Sequence, residues 1–232
     1  MKKSVRIFIT AISLALCWTV VMGLMTGSTI SSYLSHRELR FATPYSKIFE
    51  KYRKTFPSPP VTLQIEGEGT LWVYLLPGKT FSVLGHPRIW DIRYHPGTGG
   101  NGVLSIKKVN LNYFEPITVT LPAGINVSGK ALERLYISRF SGGLMTVRCS
   151  AVGLISVDSC KLTGFCQESP VTGNDNEIMF GRSNRIDSLT VLINGSGRLK
   201  LETVGKVFNH FSLANSVRVE GNLDLIRTVK LK

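Results

Sequence analysis

Apolar residues and glycines fall on alternate positions in three places: Ile65, Gly67, Gly69, Leu71, Val73; Ile193, Gly195, Gly197, Leu199, Leu201; and Val217, Val219, Gly221, Leu223, Leu225. Alternation of this kind marks a strand with one buried face, and glycine within it marks a corner. Between these segments, in the stretch from Leu135 to Cys160, Gly143, Leu144, Thr146 and Val147 recur ten residues later as Gly153, Leu154, Ser156 and Val157. A unit of short strand, glycine corner and short strand is what a stacked β-architecture repeats. Leu71, Val73 and Leu75 alternate with Trp72 and Tyr74, Val103, Leu104 and Ile106 follow a glycine-rich turn, and Ile117, Val119 and Leu121 precede Pro122. No helix of ordinary length fits after Val61.

The pattern therefore predicts an all-β domain over residues 61–232, built as a β-solenoid or β-helix-like stack of short strands with glycine corners. A spacing near ten suits either a meandering sandwich or a coil of two strands and about twenty residues; near-copies at one offset favour the coil. In the expected register Val147 and Val157 point to one interior, as do Leu144 and Leu154. Gly143 and Gly153 then occupy equivalent corners, and Arg148 and Asp158 form a charge pair on adjacent strands. Phe165 to Arg185 reads as a long polar loop that interrupts the repeat. Because the ends of such a stack are unpaired edges, a cover is expected on at least one, either the Pro44 to Phe56 segment or the basic tail from Arg227 to Lys232.

Upstream, the pattern changes period. Lys2, Lys3 and Arg6 precede an uncharged apolar run from Ile7 to Met25, whose nineteen residues span about 28 Å as a helix, roughly the hydrocarbon thickness. This predicts an N-terminal transmembrane signal-anchor within residues 1–30, with cleavage as a secretory signal as the alternative. The positive flank orients the N-terminus to the cytoplasm and places the rest outside it, as a single-pass protein of the cytoplasmic membrane or, after cleavage, a secreted one. Residues 31–60 form a juxtamembrane segment. In it Thr43 and Pro44 make a helix start, and Tyr45, Ile48, Phe49, Tyr52 and Phe56 recur at helical spacing, with Lys47, Lys51, Arg53 and Lys54 on the remaining face. Pro57, Pro59 and Pro60 then stop any helix and make a stiff spacer.

Charge sharpens this division. The net +13 splits into nine Lys/Arg against two Glu in residues 1–60, a surplus of +7, and nineteen against thirteen thereafter, a surplus of +6. Most of the excess thus sits beside the apolar run, where it suits topology and anionic headgroups. The remainder is diffuse and without aromatic interleaving, which argues against nucleic acid. Arg198, Lys200, Arg218, Glu220 and Asp224 alternate with apolar residues as the solvent face of strands; a basic strip there is a candidate contact for an acidic glycan. Cys17 lies in the apolar run and Cys149, Cys160 and Cys166 in the body, the latter three reading as small core residues. No zinc spacing exists among them and the scattered His36, His86, His95 and His210. Asp175 and Glu177, with Asn174 and Asn176 behind Gly173, form the best oxygen cluster, but without a calcium-loop spacing it reads as a solvated loop. No catalytic, cofactor-binding or metal residue is assigned, and no cofactor is expected.

Asn101 to Ile106, Ile117 to Gly124 with its Leu-Pro ending, and the Ile193 to Leu199 corner together resemble the bacterial auto-transporter adhesin family that carries a head GIN domain, over about 170 residues. The resemblance implies an exported β-solenoid and no activity. The expected function is a non-enzymatic, membrane-anchored interaction, adhesion-like or spacer module of the cell envelope. Its expected partners are the membrane through residues 7–25, and an anionic envelope glycan or lipid or another envelope protein. The alternative is a glycan-active β-helix enzyme, which requires two or three carboxylates gathered in one cleft.

Overall fold

A computed structural model describes residues 50–68, 71–110, 116–169 and 176–221. The apolar run 7–25, residues 44–49 of the expected helix, Gly173 to Asp175, Leu223, Leu225 and the tail 227–232 lie outside them. The described residues are all-β. In chain order the strands are β1 (Arg53–Phe56), β2 (Thr62–Glu68), β3 (Trp72–Pro77), β4 (Phe81–Leu84), β5 (Trp90–Pro96), β6 (Asn101–Lys108), β7 (Ile117–Leu121), β8 (Asn126–Ser138), β9 (Leu144–Asp158), β10 (Lys161–Ser169), β11 (Asn176–Phe180), β12 (Arg185–Ile193), β13 (Gly197–Leu201), β14 (Phe208–Leu213) and β15 (Val217–Gly221). Among the described residues no helix is long and apolar enough to cross a membrane.

The strands form two ladders, and the pairing within each is mostly parallel. In the first, β6, β2, the front of β8, the front of β9, β10, β12 and β14 follow one another. In the second, β7, β3, the back of β8, the back of β9, β11, β13 and β15 do so. From β8 onward each residue lies beside one about twenty further on: Val127 beside Val147, Ile137 beside Val157, Leu199 beside Val219. β8 and β9 are long because each contributes to both ladders.

This offset agrees with the expected coil of two strands and about twenty residues, but it corrects the side-by-side placements expected within it. Ten residues carry the chain from one ladder to the other, so Val147 and Val157, both fully buried, enter one core from its two sides. Leu144 is 59% exposed and Leu154 half-buried. The reason is parity: residues three apart on an extended strand point to opposite faces, so Leu144 cannot share the side of Val147. Met145, Val147 and Cys149 are the inward set. Nor are the two glycines equivalent. Gly143 sits in a turn at φ +72°, which favours glycine, whereas Gly153 lies within β9, where a Cβ would come 2.9 Å from the Glu133 carbonyl oxygen. Arg148 likewise finds its partner twenty residues away, its Nε donating to Glu168 Oε2 at 2.6 Å, while Asp158 accepts from the Ser159 hydroxyl at 3.0 Å. Arg148 and Asp158 are not paired, because they stand on different ladders.

Two further expectations change. The Phe165 to Arg185 segment holds most of β10 and all of β11, and Phe165 and Phe180 meet edge-to-face at 5.5 Å across the core. The sequence hides these strands because Gln167, Glu168 and Glu177 interrupt their apolar pattern. The expected helix also ends differently: Arg53–Phe56 is β1, antiparallel to β4. Phe56 stacks on Phe81 at 4.8 Å, and Tyr94 packs against both at 4.9 Å. A four-residue strand with one half-buried ring satisfies helical spacing by coincidence. One end of the ladders is therefore covered, by β4 on β7 and β5 on β6, both antiparallel.

Candidate functional site

The outer face of the second ladder carries the residues expected to face solvent. One row reads Trp72, Arg134, Leu154, Glu177, Arg198, Arg218 across successive strands. At its far end the charges alternate in sign. Arg198 lies 3.9 Å from Glu177 and 3.5 Å from Glu220, Arg218 lies 3.0 Å from Glu220, and Lys200 and Arg182 both approach Glu202, at 3.4 and 3.8 Å. The expected basic strip is thus a mixed-charge network, since each cation faces a glutamate from a neighbouring position or strand. Such exposed pairs contribute little. Arg198→Ala is expected to shift stability by less than about 0.5 kcal/mol in denaturant titration.

The near end of the same face is aromatic. Tyr74 and Tyr136 stack at 4.6 Å and 9°, Trp72 meets Tyr136 edge-on at 6.3 Å, and the Arg134 guanidinium lies 4.1 Å over the Trp72 ring. These contacts join β3 to β8, so they serve cross-strand stability.

A concave feature among the described residues lies beside β1. It is a half-open cleft of about 220 Å³ lined by Lys51, Tyr52, Arg53, Lys54, Gly85, Pro87, Trp90 and Ile92. The short turn Glu50–Tyr52 and β1 supply its cations, and the loop from β4 to β5 supplies the opposite wall. Arg53 is committed to structure. Its guanidinium pairs with Glu50 and donates to Ser82 Oγ at 3.0 Å and Thr120 Oγ1 at 3.3 Å. The hydrogen bond from Arg53 holds the Glu50 carboxyl below the usual carboxylate range. Lys54 donates to the Ile92 carbonyl at 3.2 Å, and the Lys51 ammonium lies 4.9 Å from the Tyr52 ring centroid. Neither lysine has a carboxylate partner among the described residues, so the cleft keeps a positive surplus over an aromatic wall. That arrangement attracts an anion with an apolar body. No carboxylate, cysteine or histidine lines it. These cations were visible in the sequence, but helical spacing assigned them to a helix surface; their collection around one cleft depends on β4 and β5, thirty residues away.

The remaining candidate groups are dispersed. Glu177 is the second residue of β11 and faces Arg198, so it belongs to the charge network. His86 meets Tyr52 edge-on at 4.4 Å and His210 stacks with Phe208 at 6.5 Å. Among the described residues no three His, Cys, Asp or Glu side chains gather as metal ligands would. Cys149, Cys160 and Cys166 are free thiols. Burial pushes Cys149 up to about 12 and Cys160 up to about 11, and it raises the half-buried Cys166 as well. Thiolate is the reactive form. In the native protein Cys166 is therefore expected to alkylate first, with Cys149 and Cys160 reacting only on unfolding, as peptide mapping after iodoacetamide would show. Because both folded values exceed the ordinary thiol value of 9.0, their contribution is intact below about pH 9 and declines as pH rises towards 11 and 12.

No known protein family and no curated protein matches this sequence. Among solved structures, a chain described as a "putative cell adhesion protein" from Clostridium sporogenes is similar over 78% of this chain and 98% of its own, at 10% identity and a TM-score of 0.28. Those values are too low to bear on fold or function.

Proposed function

We propose that this chain is an exported, membrane-anchored β-solenoid that serves as an interaction or spacer module of the cell envelope, and that its contact point is the cleft at Lys51 and Lys54. The twenty-residue parallel offset supports the solenoid reading, for each pair of strands then repeats one coil. The uncharged run from Ile7 to Met25 behind Lys2, Lys3 and Arg6 supports the anchor. The observation that carries the functional reading is the pair of lysines without carboxylate partners beside Tyr52 and Trp90. Together they suit the anionic group of an envelope glycan or lipid, the lysines meeting the charge and the rings the apolar body.

The test uses the full chain in detergent micelles. Retention on an immobilised acidic polysaccharide, a neutral polysaccharide and vesicles of anionic lipid separates the two sources of the anion. Binding to one acidic surface is expected, falling at least fivefold in Lys51→Ala/Lys54→Ala and falling with salt. Equal binding of the double variant would remove the cleft from the account. N-terminal sequencing of the mature protein tests the anchor separately: a start between Ser28 and Ser35 would make the domain a released one.

A further inference from the structure

The two ends of the ladders differ in kind. At the covered end the outermost strands are β1 and β5, each paired on one side only among the described residues. β1 carries Arg53 and Lys54, β5 carries Asp91 and Arg93 and finishes at Pro96. Charges and a proline are what discourage another strand from adding. At the opposite end β14 pairs with β12 and β15 with β13, and among the described residues no strand lies beyond either. Side chains there are also less covered than those one strand inward. Ile178 and Leu199 are fully buried, but Val219, next in their row, is half-buried. Ile193 is 1% exposed and Leu213, beside it, is half-buried. Val207 and Phe208 nearby are 80% and 54% exposed.

We propose that this open end is a self-association surface, on which a second copy of the chain lays its own β14 and β15 antiparallel to these about a twofold axis. The order of charges on β15 selects that partner and that direction. β15 reads Val217, Arg218, Val219, Glu220, Gly221. Antiparallel pairing centred on Val219 sets each Arg218 opposite the second copy's Glu220, twice per dimer, and brings the two Val219 side chains together. Parallel pairing in register would instead oppose Arg218 to Arg218 and Glu220 to Glu220, which is repulsive. A twofold contact also closes on itself. Head-to-tail growth is opposed by the charged, proline-ended edges at the other end, so a dimer results and not a fibre. The row containing Leu199 and Val219 then continues through the interface, and both open ladders acquire partners.

The experiment is cysteine cross-linking of the full chain in membranes of the expressing cell, read on non-reducing gels beside the unaltered protein, whose own thiols set the background. Val219→Cys is expected to give disulfide-linked dimer at least fivefold above that background. Adding Arg218→Glu is expected to reduce the dimer at least fivefold, and adding Arg218→Glu with Glu220→Arg to restore it, because the exchange recreates opposite charges across the axis. Sedimentation of the unaltered chain in detergent gives a second reading, with dimer mass expected. A cross-link no stronger than background would overturn the proposal, as would one indifferent to Arg218→Glu, or a monomer by sedimentation. A monomer that dimerises only when residues 222–232 are removed would also overturn it, by assigning the edge to the chain's own tail.

Discussion

Val157→Asp is expected to destabilise the domain by about 4 kcal/mol or more, enough to unfold much of the protein. Val157 is fully buried, with Ile137 on one side and Phe180 on the other in the second ladder. The substitution removes an apolar side chain worth roughly 1.5–3 kcal/mol of burial and places a carboxylate where both neighbours along the row are hydrocarbon. The chain supplies its own control. Asp158, one position on, is a half-exposed acid on the outer face, so the same side chain is tolerated a single residue away. Ser156 is also outward and half-buried; Ser156→Asp is expected to change stability by less than about 1 kcal/mol, close to the surface norm. Urea titration of both variants measures the difference. A larger loss from Ser156→Asp than from Val157→Asp would mean that the strand is turned over and that every inward assignment in β9 reverses.

That contrast also locates what the sequence could reveal. Alternation is a property of neighbouring residues, so the inward sets Leu71, Val73, Leu75 and Ile117, Val119, Leu121 were legible, and all six are fully buried. The coil of about twenty residues was legible too, but which residues stand side by side was not, because ten residues and twenty both return an apolar position to the core. Only pairing distinguishes them, as when Arg148 meets Glu168 and not Asp158. Excess polarity misled in the same way: Gln167 is fully buried in β10, its amide donating to the Glu168 carbonyl at 3.3 Å, so a strand whose core row includes an amide read as loop. The cleft was illegible for a different reason. Lys51 and Lys54 come from one side of Pro57, whereas Gly85 and Pro87 come from the loop between β4 and β5 and Trp90 from the start of β5. No local pattern joins them.

Asn184→Ala is the second large effect expected, about 2–4 kcal/mol, and it arises from a side chain that no sequence pattern singled out. Asn184 is 5% exposed and stands at the start of β12, in the turn that follows β11. Its Oδ1 accepts the Cys160 backbone N–H at 3.0 Å, and its Nδ2 donates to the carbonyls of Val157 at 2.8 Å and Gly181 at 2.9 Å. The amide therefore bridges two successive corners, the bend after β9 and the bend after β11, holding the Cys160 N–H and reinforcing the Val157 carbonyl, which also accepts the Gly181 N–H at 2.9 Å. Alanine would take the side-chain acceptor from the buried Cys160 N–H and remove one of the donors to each of the Val157 and Gly181 carbonyls. Aspartate tests the direction of the bonds. It keeps the acceptor for Cys160 but opposes a carboxylate to two carbonyl oxygens, so Asn184→Asp is expected to lose at least as much as alanine, and more above the carboxylate's pKa than below it. Thermal unfolding at pH 7 and pH 4 reads both. If Asn184→Ala melted within 1 °C of the unaltered protein, water would be replacing the amide, and the corner would be held by the β10 to β12 pairing alone.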